Sequence, residues 1–335
     1  MQVINGIHQI KAPLRLPSVA GTTGYINTYV IEGSEGSIMI DSGWDSPESL
    51  VALKEGLNAD RLRLQDVKWV VVTHVHPDHY GLASKIRQLY GAKVAMHRIE
   101  AGLIDLRYVN FTELLNQLEE VLRLNGVPQE ELPQLKEASL WARQFVTPDP
   151  PEIMLEDGDK ISNGSFEIEA LLTPGHSPGH ICLYEPRKKL LFTGDHILYE
   201  TTPHVGFHPQ SGDNPLGDFI SSLQRVERLA VSFVLPGHGP VFNSLGLRVG
   251  ELFQHHERRK SDIMRALGNN LKTAYQVAHE IRWMPEQGGV AFQSLSTWDR
   301  RMAVTETIAH LKLLMVEGKV GSADMGGAAF YVAKD

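Results

Sequence analysis

Seven side chains of metal-binding type are concentrated at four points in the sequence. The densest is His74-Val75-His76-Pro77-Asp78-His79, which puts four imidazole or carboxylate groups within six residues, directly after the apolar run 68–73. Four such groups at a strand end converge only in a tight loop, and imidazole with carboxylate is the ligand set of zinc, iron or manganese. Three later segments complete the pattern. TPGHSPGH offers His176, LFTGDHIL offers Asp195 and LPGHGPVF offers His238. Each follows an apolar run and sits beside glycines that allow close backbone approach. A metal ion held by such groups pulls the pKa of bound water toward neutrality, and the resulting hydroxide can attack a carbonyl or phosphorus centre.

The elements that must position these groups are legible in outline. The first forty residues read as strands, clearest at 26–31 and 37–40, with the turn-like EGSEG between them. A helix is expected at 49–57. Residues 68–73 (KWVVVT) form a near-continuous apolar run, as in a strand buried on both faces. A helix at 82–90 and a strand at 93–97 follow. Strands then resume at 166–172, 181–184, 189–193 and 233–235, with a helix at 219–229. This alternation predicts a layered α/β architecture. Residues 98–150 interrupt it and read as an inserted helical hairpin, a scaffold or a lid over the metal cleft. Its first helix would be capped by Thr112 and its second would span 134–145. From residue 251 the chain reads as helices at 251–267, 274–282 and 298–316 and then a hairpin, the pattern of a winged helix. The expected domains are therefore 1–250 and 251–335, with no internal repeats.

Composition narrows the function classes. The apolar fraction of 42% permits a sizeable core, and no apolar run approaches the ~18 residues of a membrane span. The start, MQVINGIHQIKAPL, does not read as a signal peptide. The single cysteine, Cys182, excludes an intrachain disulfide and fits a cytoplasmic protein, where it reads as a buried strand thiol. The formal charge is −8. Residues 251–335 hold 11 Lys/Arg and 10 Asp/Glu, leaving 21 and 30 of the chain's 32 and 40 for residues 1–250. Such a surface does not draw a phosphate polymer by its bulk field.

The order HxHxDH, His, Asp, His resembles the motifs of the metallo-β-lactamase superfamily over roughly residues 20–245. That resemblance implies an αββα sandwich with two metal ions at one edge of its sheets, zinc foremost, with iron or manganese compatible. By the same resemblance His74, His76 and His176 hold one ion and Asp78, His79 and His238 the other, with Asp195 bridging. Asp78 additionally takes a catalytic role, holding or orienting the nucleophile's proton. GDHIL, LPGHGPVF and HHERR are similar to a glyoxalase II-like, lactamase-beta-like group with an appended winged helix. The implied activity is a metal-bridging hydroxide hydrolysing a small ester or thioester, CoA- or carrier-bound among the options. An endoribonuclease on single-stranded RNA is the alternative, and a non-catalytic DNA-binding regulator a remote one, since all seven ligand positions are intact. Nucleic acid is not the favoured partner, and a homodimer is an open expectation.

Around these ligands, Asp41 in MIDSGW is a candidate for fixing an imidazole tautomer, or a cap for its own loop. Thr73, Thr173 and Ser177 read as local turn residues. His180 and His196 lie near the motifs. Tyr199, His204 and His208, on the loop after Asp195, and Arg107 and Tyr108, opening the insertion, are candidates for substrate contact. Arg300 and Arg301 read as solvated surface.

Overall fold

The computed structural model describes residues 1–14, 24–138, 140–284 and 288–334. Its first sheet has seven strands in sequence order: β1 (Gln2–Ile4), β2 (Ile7–Pro13), β3 (Tyr25–Ile31), β4 (Ser37–Ile40), β5 (Val67–Val72), β6 (Lys93–His97) and β7 (Ile153–Leu155). The strands from β1 to β4 pair antiparallel and those from β4 to β7 parallel. The second sheet contains β8 (Lys160–Ser162), β9 (Glu167–Leu172), β10 (Ile181–Glu185), β11 (Leu190–Gly194) and β12 (Phe233–Pro236), in the order β12-β11-β10-β9-β8. β12 joins β11 in parallel.

The helices follow from their local sequence. Ser46 caps α1 (Pro47–Ala59) by accepting from Ser49 N, with proline at the first helical position. α2 (Pro77–Tyr80) is a single turn inside the HVHPDH loop, and Gly91 at φ 73° ends α3 (Ala83–Tyr90). Then come α4 (Arg98–Ile104), a π-helical turn Asp105–Val109, α5 (Phe111–Leu124) and α6 (Leu132–Glu137). α7 (Pro215–Glu227), α8 (Leu245–Leu267), α9 (Ala274–Glu280) and α10 (Thr297–Val316) complete the set. Between α9 and α10 lies the short pair β13 (Arg282–Trp283) and β14 (Val290–Ala291), and β15 (Val320–Met325) with β16 (Ala328–Ala333) forms the closing hairpin.

The two sheets pack face to face. Ile7, Tyr29, Ile40 and Val71 of the first meet Ile168, Ile181, Leu183 and Phe192 of the second in one apolar cluster, with Tyr29 edge-on to Phe192 at 5.4 Å. Leu53, Leu57 and Ile86 cover the outer face of the first sheet, and Phe219, Leu223, Val226 and Val249 cover that of the second. The layering is α, β, β, α, and the C-terminal ends of β5, β9, β11 and β12 open at one edge.

Several expectations require adjustment. Residue 250, where the sequence divides the chain, lies within the continuous helix α8. The inserted helices do not stand apart: Leu118, Leu122, Leu132 and Leu135 share a core with Ile263, Val277, Ile308 and Leu311 from the C-terminal helices. α5 starts at Phe111 with Asn110 before it, which puts Thr112 inside the first turn rather than at its cap. The expected second helix is a short α6 followed by a 3-10 turn, Leu140–Phe145. That turn carries Phe145 onto Trp44, stacked at 4.2 Å, and Trp141 toward Trp298. Arg301 is not solvated surface: it is 9% exposed and lies over the Trp298 ring. Arg300 spends its donors on the Leu295 and Gln293 carbonyls. Among the described residues no helix is long and apolar enough to cross a membrane.

Candidate metal centre

β5 runs straight into the loop 74–79, and proline at the start of α2 turns it back sharply. The residues following β9, β11 and β12 bring His176, Asp195 and His238 to the same sheet edge. His74 Nε2 lies 2.9 Å from His76 Nδ1, His176 Nε2 lies 3.0 Å from His76 Nδ1, and the two Nε2 atoms of His74 and His176 are 3.2 Å apart. Asp195 Oδ2 completes this group, 3.7 Å from His176 Nε2. In the second group His238 Nε2 is 3.2 Å from Asp78 Oδ2, and His79 Nε2 is 3.7 Å from the same oxygen. Asp195 Oδ1 sits 3.4 Å from His79 Nε2 and 3.5 Å from His238 Nε2. Asp195 thus turns one carboxylate oxygen to each group.

These spacings can be tested against an ion. Tetrahedral zinc with bonds of about 2.0–2.1 Å holds its ligand atoms about 3.3 Å apart. Both groups match that edge length. Hydrogen bonding behind the ligands also leaves the correct atoms bare. Thr73 Oγ1 donates to Asp41, so its oxygen accepts from His74 Nδ1 at 3.0 Å. His79 Nδ1 donates to Asp41 Oδ2 at 2.7 Å, His176 Nδ1 to the His204 carbonyl at 2.8 Å and His238 Nδ1 to the Tyr25 carbonyl at 3.0 Å. Four imidazoles therefore aim Nε2 lone pairs into one space. A proton on His76 Nδ1 satisfies one contact of its group, whereas a cation satisfies all of them. His79 Nε2 and Asp195 Oδ1 are buried with no hydrogen-bond partner among the described residues, as expected of metal ligands. The residues fit two divalent ions.

The electrostatics of the two halves differ. Burial, and then the neighbouring imidazoles, push His74 and His76 well below the usual histidine range, so these rings stay neutral. Burial opposes charge at His79 and His238 too, yet Asp195 and Asp78, joined by Asp41 at His79, outweigh it and raise both. Burial would lift Asp195, but His238 and His79 hold it well below the carboxylate range. The second half thus attracts positive charge strongly.

Asp41, besides meeting His79 Nδ1, accepts with its carboxylate from Thr73 N at 2.8 Å. It adopts φ 56°, a left-handed conformation that aspartate tolerates better than most residues. Thr173 Oγ1 pairs with His180 Nδ1 at 2.9 Å, and His180 Nε2 accepts from Asp195 N, so this histidine steadies the bridging residue. His196 is fully buried and edge-on to Phe219. Tyr199 is 45% exposed and packs on Phe242. His204 reaches the centre through its carbonyl, while its ring lies 3.8 Å from Glu306 on α10, itself paired with Arg259. His208 is half-buried on the same loop. Tyr108 donates to the Val75 carbonyl at 2.5 Å, supporting the ligand loop. Cys182 is a buried strand thiol, pushed up to about 12 by burial.

Glu100 escaped the reading of the sequence. Fully buried, it accepts from Val75 N at 2.8 Å, Gly179 N at 2.7 Å and Ser177 Oγ at 2.5 Å, cross-linking the loops that carry His74, His76 and His176. Its place three residues beyond β6, at the edge where the strand C-termini gather, was the available signal. Gly237 is a second such feature: a Cβ there would come within 2.9 Å of Asp195 Oδ1 and His79 Cε1.

Comparison with known proteins agrees with this geometry. The chain is 26% identical over 317 residues to the probable metallo-hydrolase YqjP of Bacillus subtilis, covering 92% of this chain and 93% of that protein. It is 31% identical over 232 residues to the human acyl-coenzyme A thioesterase MBLAC2, covering 66% of this chain and 74% of the relative. The crystal structure of a metallo-beta-lactamase family protein from Thermus thermophilus superposes with a TM-score of 0.82 at 26% identity, over 99% of this chain and 100% of that one. The family model described as metallo-beta-lactamase superfamily matches residues 21–238, and this chain belongs to that superfamily of metal-dependent hydrolases.

Proposed function

We propose that the protein is a two-metal thioester hydrolase acting on an acyl-CoA or carrier-bound acyl group, with zinc as its preferred ion. The observation that carries this is the bridging geometry of Asp195, one oxygen toward each of two ligand groups. The name of the human relative directs the substrate class to thioesters. His74, His76, His176 and Asp195 would hold one ion, and Asp78, His79, His238 and Asp195 the other. When bound, such ions make water nucleophilic at neutral pH and polarise a carbonyl oxygen. Asp78 is kept ionised: burial opposes its charge, but His79 and His238 outweigh it. Its Oδ2 faces His238, and the ionised carboxylate would hold or orient the proton of the attacking water. As the water oxygen bonds to the acyl carbon and the C–S bond breaks, that proton passes to the leaving thiolate.

The helices and hairpin after residue 251 are read as a winged-helix-like packing module, completing a glyoxalase II-like member with an extension. An RNA-cleaving role draws less support, because Arg301 is buried on Trp298 and Arg300 is engaged with backbone. The test is turnover by protein of measured metal content on an acyl-CoA panel and on labelled single-stranded RNA. Thioester cleavage abolished by chelator, by His76→Ala and by Asp195→Ala is the expected result. RNA cleavage without thioester cleavage under the same controls overturns the proposal, as does full hydrolysis by Asp195→Ala.

A further inference from the structure

The two shoulders of the metal centre are joined by a bridge that no metal ligand uses. On one shoulder the π-helical turn Asp105–Val109 carries Tyr108, bonded to the Val75 carbonyl between His74 and His76, and next to it Arg107. On the other, the loop whose His204 carbonyl accepts from His176 continues to Phe207, tied to the Thr305 carbonyl at 2.9 Å, and on to His208 and Gln210. Arg107 Nε donates to Gln210 Oε1 at 2.9 Å and closes the bridge. Among the described residues this is the guanidinium's one hydrogen bond, and no carboxylate pairs with it. Its two terminal nitrogens, a half-buried fork, remain available. Gln210 Nε2 is buried and also lacks a partner among the described residues. The His208 ring makes no hydrogen bond among them either.

A second cation stands close by. Arg301 lies one helical turn before Thr305 on α10, nearly buried over Trp298. Burial and then the Arg107 charge bring its guanidinium down to about 10, so it remains charged at neutral pH. Burial first, then Arg107, His204 and Arg301 hold His208 well below its usual range, leaving it a neutral hydrogen-bonding ring. A half-buried guanidinium with open donors beside a second positive charge, as at Arg107, is stabilised by an oxyanion, which the fork meets with two parallel bonds.

We infer that Arg107, Gln210 and His208 form an anion subsite at the rim of the metal centre that takes a phosphate or carboxylate oxyanion of the substrate, with Arg301 adding charge. This rests on the thioesterase reading for its substrate and on geometry for its place. An oxyanion there would come from the thiol half, as a phosphate, or from the acyl half, as a terminal carboxylate.

The experiment compares wild type with Arg107→Gln, matched for metal content, on three thioesters: an acyl-CoA, an uncharged acyl ester of N-acetylcysteamine, and its glutaryl counterpart. The quantity read is kcat/KM for each charged substrate relative to the uncharged one. Loss of a charged hydrogen bond predicts a fall in that ratio of about 10- to 100-fold, carried by KM. A fall for the CoA ester assigns the phosphate, and a fall for the glutaryl ester the carboxylate. An unchanged ratio for both overturns the subsite, as does an equal loss on all three. If wild type cleaves no thioester, the functional reading fails by itself, and calorimetric titration with inorganic phosphate and with glutarate decides the subsite. Weaker binding of either anion by Arg107→Gln supports it, and equal binding by the two proteins refutes it.

Discussion

Replacing Glu100 with glutamine keeps the side-chain volume while removing the charge and turning one acceptor into a donor. The wild-type carboxylate accepts three short hydrogen bonds, from Val75 N, Ser177 Oγ and Gly179 N, in a fully buried position. In its best orientation the amide oxygen keeps Ser177 and Gly179 and the amide nitrogen faces Val75 N–H. Two charged bonds then become neutral, at about 1 kcal/mol each, and one buried N–H loses its acceptor, at about 1–3 kcal/mol. The sum is roughly 3–5 kcal/mol. Because Val75 lies between two ligands and Ser177 follows a third, part of this loss should appear as a weaker metal centre. A decrease in metal affinity of about 10- to 100-fold is the expected scale for removing such support. Competition between the protein and a fluorescent zinc chelator measures the affinity, and urea denaturation of the metal-free protein measures the stability. Glu100→Gln with zinc affinity within about twofold of wild type and an unmoved urea midpoint would refute the cross-link.

Two other perturbations test the geometry by different means. A methyl group at Gly237 would press on Asp195 Oδ1 and His79 Cε1 at 2.9 Å and on the Gly194 backbone at 3.1 Å, so Gly237→Ala should lower bound metal from two ions per chain toward one by elemental analysis. Gly246→Ala on α8, where a Cβ meets nothing within 4 Å, serves as its control and should retain both ions. His310, lowered to about 4 chiefly by burial, donates from Nδ1 to the Glu306 carbonyl and accepts at Nε2 from His256. The folded form therefore binds fewer protons than the unfolded chain between about pH 4 and 6.5, and stability falls as the pH drops through that window, by on the order of 3 kcal/mol from this ring. Acid titration of the urea midpoint should be shallower by about one proton in His310→Gln, and an identical slope would count against a neutral buried ring.

The candidate ligands were legible in the sequence because metal coordination needs particular residue types and strand ends deliver them. His74, His76, Asp78, His79, His176, Asp195 and His238 each stand where an apolar run stops, and the layered fold gathers those stops at one edge. Long buried strands such as β5 and β10 declared themselves by their apolar runs. The three-residue strands β7 and β8 are too short to show a period, and β2 buries His8 and Gln9 among its apolar residues, which blurs its pattern. What holds the ligands was far less visible. Asp41 could be suspected from its strand end, but Glu100, the His204 carbonyl and the Arg107–Gln210 bridge depend on groups 25 to 103 residues apart. A carbonyl carries no sequence signal, and a lone acid in a helix looks like any solvated one. The same holds for the C-terminal part. Its helices were readable from their spacing, yet their shared core with α5 and α6 and the burial of Arg301 were decided only by packing. Composition and periodicity report which face of an element is apolar; which other face covers it is a property of the folded chain.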